Sequence, residues 1–258
     1  MNVGERDEII FKLIITNKRD HNESLFGQPI DSVGFMGEEF KPLPASFNIA
    51  SLYNMTDAEL LFTAASIGMG KAPTGAKADV EINGKGVSLK SLAAAPAALV
   101  NHTSRPGFEF ACQNAGVSIN ELDSIIDEYW DKRMNGIIAE DTKISDANCP
   151  FSSHKEYLRP ILEYFLFKGT GSKLSIAPAD YLIEFSNPFN EDTYKKLSQS
   201  DAVDAVWPKL IFSLRAKKGM PTNYNLNTYK GKGATSIAKW VRFHSNEYRG
   251  ALHIRASR

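Results

Sequence analysis

The segment Lys77–Ser91 reads Lys-Ala-Asp-Val-Glu-Ile-Asn-Gly-Lys-Gly-Val-Ser-Leu-Lys-Ser, and its pattern predicts a tight β-hairpin. Apolar and polar side chains alternate along both arms, and the Asn-Gly-Lys-Gly stretch supplies the turn. Because successive side chains of a strand point to opposite faces, one face of the hairpin is apolar and the other is polar. The apolar face carries Val80, Ile82, Val87 and Leu89, and the polar face carries Asp79, Glu81, Ser88 and Lys90.

Two turns are compatible with this hairpin. A loop at Gly84-Lys85 places Glu81 opposite Ser88, whereas a loop at Asn83-Gly84, which is the stronger type I′ signal, places Asp79 opposite Ser88. Both turns keep the four polar groups on one face. Directly opposed Cβ atoms lie about 5 Å apart, and one Mg²⁺ ion bridges carboxylates at such a spacing.

The hairpin resembles the catalytic hairpin of the PD-(D/E)xK nuclease superfamily, which includes many restriction endonucleases. The family pattern is an Asp on one strand followed by an acid-x-Lys tripeptide on the next. Asp79 matches the first position and Lys90 matches the lysine. Ala78 stands where the family has Pro, and Ser88 stands where it has the second acid. Glu81, on the same face as Asp79, is the expected substitute for that acid.

The resemblance implies a Mg²⁺-dependent type II restriction endonuclease that hydrolyses double-stranded DNA at a short specific site as a homodimer. Asp79, with Glu81 or an acid of the first helix, would hold the Mg²⁺ ion. Lys90 would orient or help to deprotonate the attacking water, and Ser88 would hydrogen-bond a water molecule instead of ligating the metal. A surface hairpin with one solvated face is the alternative interpretation of the same pattern.

The order of the predicted elements agrees with that resemblance. The fold class is predicted to be α/β, with a restriction-endonuclease-like core in which helices flank a mixed central β-sheet. A helix over Glu5–Thr16 precedes the hairpin, and in many family members an acid of this helix reaches the metal. That makes Glu5 or Glu8 the candidate here, although acids at a helix N-terminus also offset the helix dipole. Because no Pro/Gly/Ser-rich linker interrupts the chain, residues 1–258 are predicted to form a single domain.

Further helices and strands are predicted from caps and periodicity. Thr56 and Glu59 have the spacing of a capping box, and apolar residues recur at helical spacing over Ile119–Met134. The stretch Ser91–Val100 is predicted to begin a helix or a turn, and Asn101–Gly107 a polar loop. The predicted strands are Ile30–Met36, Asp180–Phe185, Lys209–Arg215 and Leu252–Arg255.

Composition restricts the class of protein more than its activity. The 30 basic and 30 acidic residues cancel, so the net charge gives no sign of a nucleic-acid partner. The region from residue 215 to the C-terminus nevertheless holds ten basic residues and one acid, Glu247, which favours an anionic partner. Cys112 and Cys149 form neither a disulfide framework nor a zinc pattern and are expected to be reduced in the interior. A cytoplasmic protein without a signal peptide or membrane span is predicted.

The residues predicted to contact DNA lie in the dense polar and basic stretches after the hairpin. They are Asn101, His102, Arg105, Lys173, Lys217, Lys218, Lys230, Lys232 and Arg242. Two other classes of protein stay open at this point. One is a non-catalytic nucleic-acid-binding protein that uses the basic C-terminal region, and the other is a structural or regulatory protein without a nucleic-acid role.

Overall fold

The computed structural model describes residues 1–94, 98–216 and 233–257. The α-helices in these residues are α1 (Val3–Asp20), α2 (Asp57–Ser66), α3 (Arg105–Ala115), α4 (Ile119–Met134), α5 (Lys155–Glu163), α6 (Gln199–Val206) and α7 (Ala234–Trp240). The strands are β1 (Ser24–Leu25), β2 (Gln28–Pro29), β3 (Val33–Phe35), β4 (Glu38–Glu39), β5 (Val80–Ile82), β6 (Lys85–Ser91), β7 (Ala98–Ser104), β8 (Thr142–Lys143), β9 (Tyr181–Phe185), β10 (Lys195–Leu197), β11 (Leu210–Arg215), β12 (Arg242–His244), β13 (Glu247–Arg249) and β14 (Ala251–Ala256). A π-helix, Tyr164–Lys168, continues α5. The protein is therefore a mixed α/β protein.

The described residues divide into two compact units. Unit 1 comprises those of 1–95 and 175–199, and unit 2 comprises those of 96–174 and 200–258. The chain passes from unit 1 to unit 2 after β6, returns to build β9 and β10, and then completes unit 2. The sequence predicted one domain because no linker composition marks these passages. The units are defined by which distant segments pack together, and composition does not carry that information.

Unit 1 is built on a six-stranded mixed sheet with the order β10-β9-β6-β5-β3-β4. Strands β6 and β9 are parallel, and the other neighbouring strands are antiparallel. In the hairpin β5–β6, Val80 pairs with Val87 and Ile82 pairs with Lys85, so the loop is Asn83-Gly84. Both loop residues have positive φ, 51° and 70°, as a type I′ turn requires. The stronger of the two predicted turns is confirmed.

The apolar face of the hairpin lies in the core of unit 1. Val80, Ile82, Val87 and Leu89 are all buried, and they belong to the same apolar cluster as residues of α1. Helix α1 is fixed to the sheet in part by Phe11, whose ring stacks on Phe185 of β9 at 5.1 Å. A capping box between Asn2 and Glu5 begins the helix. This packing carries the polar side chains of α1 toward the C-terminal end of β6.

Unit 2 contains a four-stranded antiparallel sheet with the order β7-β14-β11-β8. Its core includes residues of α3, α4 and α5, and α4 has the bounds that periodicity predicted. The stretch Ser91–Val100, predicted to begin a helix or a turn, begins with a turn in which the N–H of Ala94 donates to the carbonyl of Ser91, and β7 starts at Ala98. The prediction of a polar loop over Asn101–Gly107 was wrong, because this stretch is the end of β7 followed by the start of α3. Pro106 is compatible with that start, because proline is well tolerated in the first turn of a helix.

Cys112 and Cys149 are buried and not joined in a disulfide, as predicted. No helix among the described residues has both the length and the apolar character that a membrane span needs.

Candidate active site

The strands β5 and β6 separate at Asp79. The Asp79 carboxylate accepts a hydrogen bond at Oδ2 from the backbone N–H of Leu89, at 2.7 Å, in the place where a strand partner would stand. The preceding backbone turns away from β6, because the N–H groups of Lys77 and Ala78 donate to the carbonyl of Ala177. Oδ1 of Asp79 has no hydrogen-bond donor in the described part of the chain. A fixed carboxylate with one open oxygen therefore lies at the opening between the two strands.

A second carboxylate, that of Glu8 on helix α1, interacts electrostatically with Asp79. Glu8 has no hydrogen bond or ion pair among the described residues. Burial, and after it the negative charge of Asp79, raises the pKa of Glu8 to about 7, while the positive charges of Lys90 and Lys12 oppose this rise. Because the charge of Asp79 disfavours the charged form of Glu8, a cation bound at this point would stabilise that form.

Two further lysines surround the acids. Lys12 lies one turn after Glu8 on α1 and is only 8% exposed. Its burial lowers its pKa, and the charges of Asp79 and Glu8 oppose that change. Burial and the positive charge of Lys90 lower the pKa of Lys77. The positive charge of Lys90 therefore disfavours the charged form of Lys77, as the negative charge of Asp79 disfavours that of Glu8.

Lys90 is exposed near the end of β6, where it pairs in register with Glu184 of β9. No ion pair of Lys90 within 4 Å occurs in the residues described. Ser88 is buried at 4% exposure, and the register of the hairpin places it across from Asp79, as the Asn83-Gly84 turn predicted. Ser88 and Lys90 therefore share one side of β6, and Asp79 directly precedes the strand that pairs with it.

The structure does not bring the other two predicted metal ligands to this place. The Glu81 carboxylate accepts a hydrogen bond at Oε2 from the N–H of Gly37, at 2.8 Å, and so stabilises the turn between β3 and β4. Glu5 is exposed, and its carboxylate accepts from the N–H of Asn2 in the capping box of α1. Glu8 is the acid of α1 that interacts with Asp79, since it lies on the side of the helix that faces the end of the hairpin.

Two of the nine residues predicted to contact DNA, Arg105 and Arg242, form ion pairs within unit 2. Arg105 is 3% exposed and donates two hydrogen bonds to the carboxylate of Asp123. Arg242 is partly exposed and forms an ion pair with Asp127 at 3.1 Å. Asn101, His102 and Lys173 lie at or near the surface of unit 2, the first two on β7. Lys217, Lys218, Lys230 and Lys232 lie outside the described residues.

Sequence reasoning missed Lys12 and Lys77. The signal for Lys12 was present, because it is the one charged residue within the run Ile10–Thr16, all of which is buried. Charged residues are almost never fully buried unless paired, so a lysine inside a buried run marks a position of interest. No comparable signal indicates Lys77, whose surroundings depend on the turn of the backbone before β5.

The donor set was tested against the expected Mg²⁺ ion. Among residues 1–94, 98–216 and 233–257, no group of three or more His, Cys, Asp or Glu side chains is arranged to hold a metal. Mg²⁺ keeps several waters and is commonly bound by one or two carboxylates together with phosphate oxygens of a substrate. The pair Asp79 and Glu8 fits that smaller requirement.

Comparisons of the chain with protein-family models, with curated proteins and with solved structures found no match. The charges and the geometry of the site are what indicate its chemistry. Two carboxylates and three lysines meet where two strands separate, and this combination accommodates a divalent cation beside an anion.

Proposed function

We propose that the protein is a Mg²⁺-dependent nuclease that hydrolyses phosphodiester bonds of double-stranded DNA, with its active site at Asp79, Glu8 and Lys90 of unit 1. The arrangement of α1, the hairpin β5–β6 and the parallel strand β9 supports a restriction-endonuclease-like core. The resemblance of the hairpin to the PD-(D/E)xK pattern supports a type II restriction endonuclease that acts as a homodimer on a short site.

One observation carries the proposal. The negative charge of Asp79 makes ionisation of the half-buried Glu8 less favourable, and Glu8 has no compensating ion pair among the described residues. Such an arrangement costs folding stability, and unfavourable pairs of this kind cluster at functional sites. A divalent cation held by Asp79 and Glu8 would offset this cost, and the neighbouring lysines would attract a phosphodiester.

The roles of the residues follow from their surroundings. A bound Mg²⁺ ion would polarise the scissile phosphoryl group and stabilise the negative charge that develops there. The N–H of Leu89 holds the Asp79 carboxylate in one orientation, which keeps Oδ1 available. Lys90 is exposed and unpaired in the described residues, so its ammonium group is available to orient the attacking water and to stabilise the transition state.

Glu8 supplies the second acid that the family pattern has at the position of Ser88. A serine hydroxyl offers a hydrogen bond but no negative charge, so Ser88 does not replace the missing acid electrostatically. Glu8 supplies that charge from α1. It takes the role predicted for Glu81, whose carboxylate instead stabilises the β3–β4 turn.

The alternative of a non-catalytic protein that binds nucleic acid through its basic C-terminal region receives less support. In the described part of that region, each of the following basic residues forms an ion pair with an acid of unit 2: Arg215, Lys239, Arg242, Arg249 and Arg255. Basic groups already paired with carboxylates attract phosphates less than free ones do. Lys12, Lys77 and Lys90 of the candidate active site have no such ion pairs in the described residues.

Cleavage of a supercoiled plasmid with Mg²⁺ tests the proposal. We expect the wild type to cut the plasmid, and Asp79→Asn, Glu8→Gln and Lys90→Ala each to lower the rate by about 10³-fold or more, because each removes a charge from the reacting centre. Glu81→Gln is the matched control and should stay within a few-fold of the wild type, since the amide oxygen still accepts from Gly37. Addition of EDTA should stop cleavage.

A wild type that leaves the plasmid intact with Mg²⁺ contradicts the proposal. If Glu81→Gln is inactive and Glu8→Gln is active, the proposal of a nuclease stands. The second metal ligand is then Glu81 and not Glu8.

A further inference from the structure

Lys12 is a buried lysine that has no ion-pair partner in the part of the chain that the structure describes. It lies in the middle of α1, where its neighbours in the run Ile10–Thr16 are buried, and it is 8% exposed. In the described residues its ammonium group makes no hydrogen bond and no ion pair within 4 Å. Burying an unpaired charge is costly, so this lysine weakens the fold of unit 1 unless another group compensates it.

Among the described residues, the acids whose charges act on Lys12 are those of the candidate active site. Its charge interacts favourably with Asp79 and Glu8, which the proposed function assigns to the cation. When a divalent cation neutralises those two carboxylates, Lys12 loses its electrostatic compensation. The site then holds an excess of positive charge contributed by Lys12, Lys77 and Lys90.

We infer that Lys12 binds the non-bridging oxygens of the phosphodiester at the reacting centre, so that it contacts the substrate only when the cation occupies the carboxylate pair. This inference rests on the proposed function and adds a residue that the family pattern does not contain. Lys90, at the exposed end of β6, then orients the attacking water. Lys12, on the buried side, binds the oxygens of the phosphoryl group.

This role has an electrostatic consequence that a structural role does not have. Lys12 and the cation are both positive and share the same two carboxylates, so Lys12 weakens cation binding in the absence of DNA. Once the phosphodiester is bound, the same charge stabilises the complex. Removal of the charge should therefore change the two affinities in opposite directions.

Lys12→Met is the decisive variant, because methionine has a similar length and suits a buried position. Titration calorimetry with Mg²⁺ alone should show an affinity several-fold higher than that of the wild type. Single-turnover cleavage of the plasmid, followed over a range of enzyme concentrations, should be slower by about 10²-fold. The thermal midpoint without Mg²⁺ should be equal to that of the wild type or higher, because an unpaired buried charge has been removed.

Two further variants serve as controls. Lys85→Met removes a lysine from the exposed turn of the same hairpin and should leave cation affinity and cleavage unchanged. Lys12→Arg keeps the charge and should retain wild-type cation affinity with part of the cleavage rate.

Lys12→Met with wild-type cleavage overturns the inference and leaves the proposed function intact. A Lys12→Met protein that is folded but shows lower Mg²⁺ affinity together with slower cleavage also overturns it, since a structural role gives changes of the same sign. A wild type that neither binds Mg²⁺ nor cuts DNA overturns both proposals.

Discussion

Two half-buried carboxylates, Asp123 in unit 2 and Glu8 in unit 1, show opposite responses to burial. Burial acts to raise the pKa of Asp123, but hydrogen bonds from Arg105 and Trp240 outweigh it and the pKa is lowered. Glu8 has no such donors among the described residues, so burial and the charge of Asp79 raise its pKa to about 7. The first arrangement is the one expected of a group that stabilises a fold. The arrangement of Glu8 is expected of a group at a functional site that binds a ligand.

The surroundings of Asp123 explain the difference. Its carboxylate accepts from Arg105 at 2.7 Å on each oxygen and from the indole N–H of Trp240 at 2.7 Å, and Arg105 also donates to Ser236. These contacts join three helices of unit 2. In unit 1, Glu8 and Lys12 are also charged and at least half-buried, but they have no hydrogen bonds or ion pairs of this kind in the described residues. We therefore assign the function to unit 1.

Breaking the network of unit 2 should have the largest effect on stability. Arg105→Ala removes the close ion pair of the half-buried Asp123 carboxylate and leaves it with Trp240 and the more distant Lys239, at 3.8 Å, so we expect the free energy of unfolding to fall by about 3 kcal/mol. Urea denaturation of the full chain measures this. Arg242→Ala, which removes a more exposed ion pair, should cost less than about 1 kcal/mol. Equal losses in the two variants would show that Arg105 is not the structural centre of unit 2.

Glu8→Gln should produce the opposite result in unit 1. The folded-state pKa of Glu8, about 7, lies above its ordinary value of 4.5, so the folded protein binds more protons than the unfolded chain between these values. Stability that depends on protonated Glu8 is present below pH 4.5 and is lost as the pH rises through about 7. Glu8→Gln should therefore stabilise the Mg²⁺-free protein by about 2 kcal/mol at pH 8 and leave it unchanged at pH 4.

Denaturation at the two pH values, with and without Mg²⁺, tests this effect. Glu38→Gln, on the exposed strand β4, is the control and should show no pH-dependent gain. Mg²⁺ should stabilise the wild type and have little effect on Glu8→Gln, because the variant lacks one of the two ligands. A loss of stability in Glu8→Gln at pH 8 would place Glu8 with Asp123 as a structural group.

Lys77→Ala should have the smallest of these effects. Lys77 is half-buried and is opposed by the charge of Lys90, so a phosphate near the two lysines relieves their repulsion. We expect a several-fold weaker affinity for duplex DNA and a salt dependence whose slope is smaller by about one. Fluorescence anisotropy at several salt concentrations measures both, with Lys85→Ala as the control. An unchanged slope would remove Lys77 from the DNA-contacting residues.

The sequence predicted the parts of the fold that depend on local interactions. The hairpin, its polar face, the Thr56 capping box and helix α4 follow from alternation, turn residues and helical spacing, and the structure contains all of them. Strand β7 was not predicted, because its second half, Asn101–Ser104, is a run of polar residues without the alternation of a half-buried strand. The polar loop over Asn101–Gly107 was also wrong, since polar residues there begin a helix whose first arginine is buried in an ion pair.

The sequence by itself determined that Asp79, Ser88 and Lys90 share one face of a hairpin, because the side chains of a strand alternate with a period of two whichever turn forms. Only the tertiary structure decided which acid accompanies Asp79. Glu81 is two residues away but bound to the β3–β4 turn, whereas Glu8 is distant in sequence and reaches the site because the apolar side of α1 packs on the sheet. Lys12 follows from the same packing. Long-range apolar burial fixes such positions, and no local pattern encodes them.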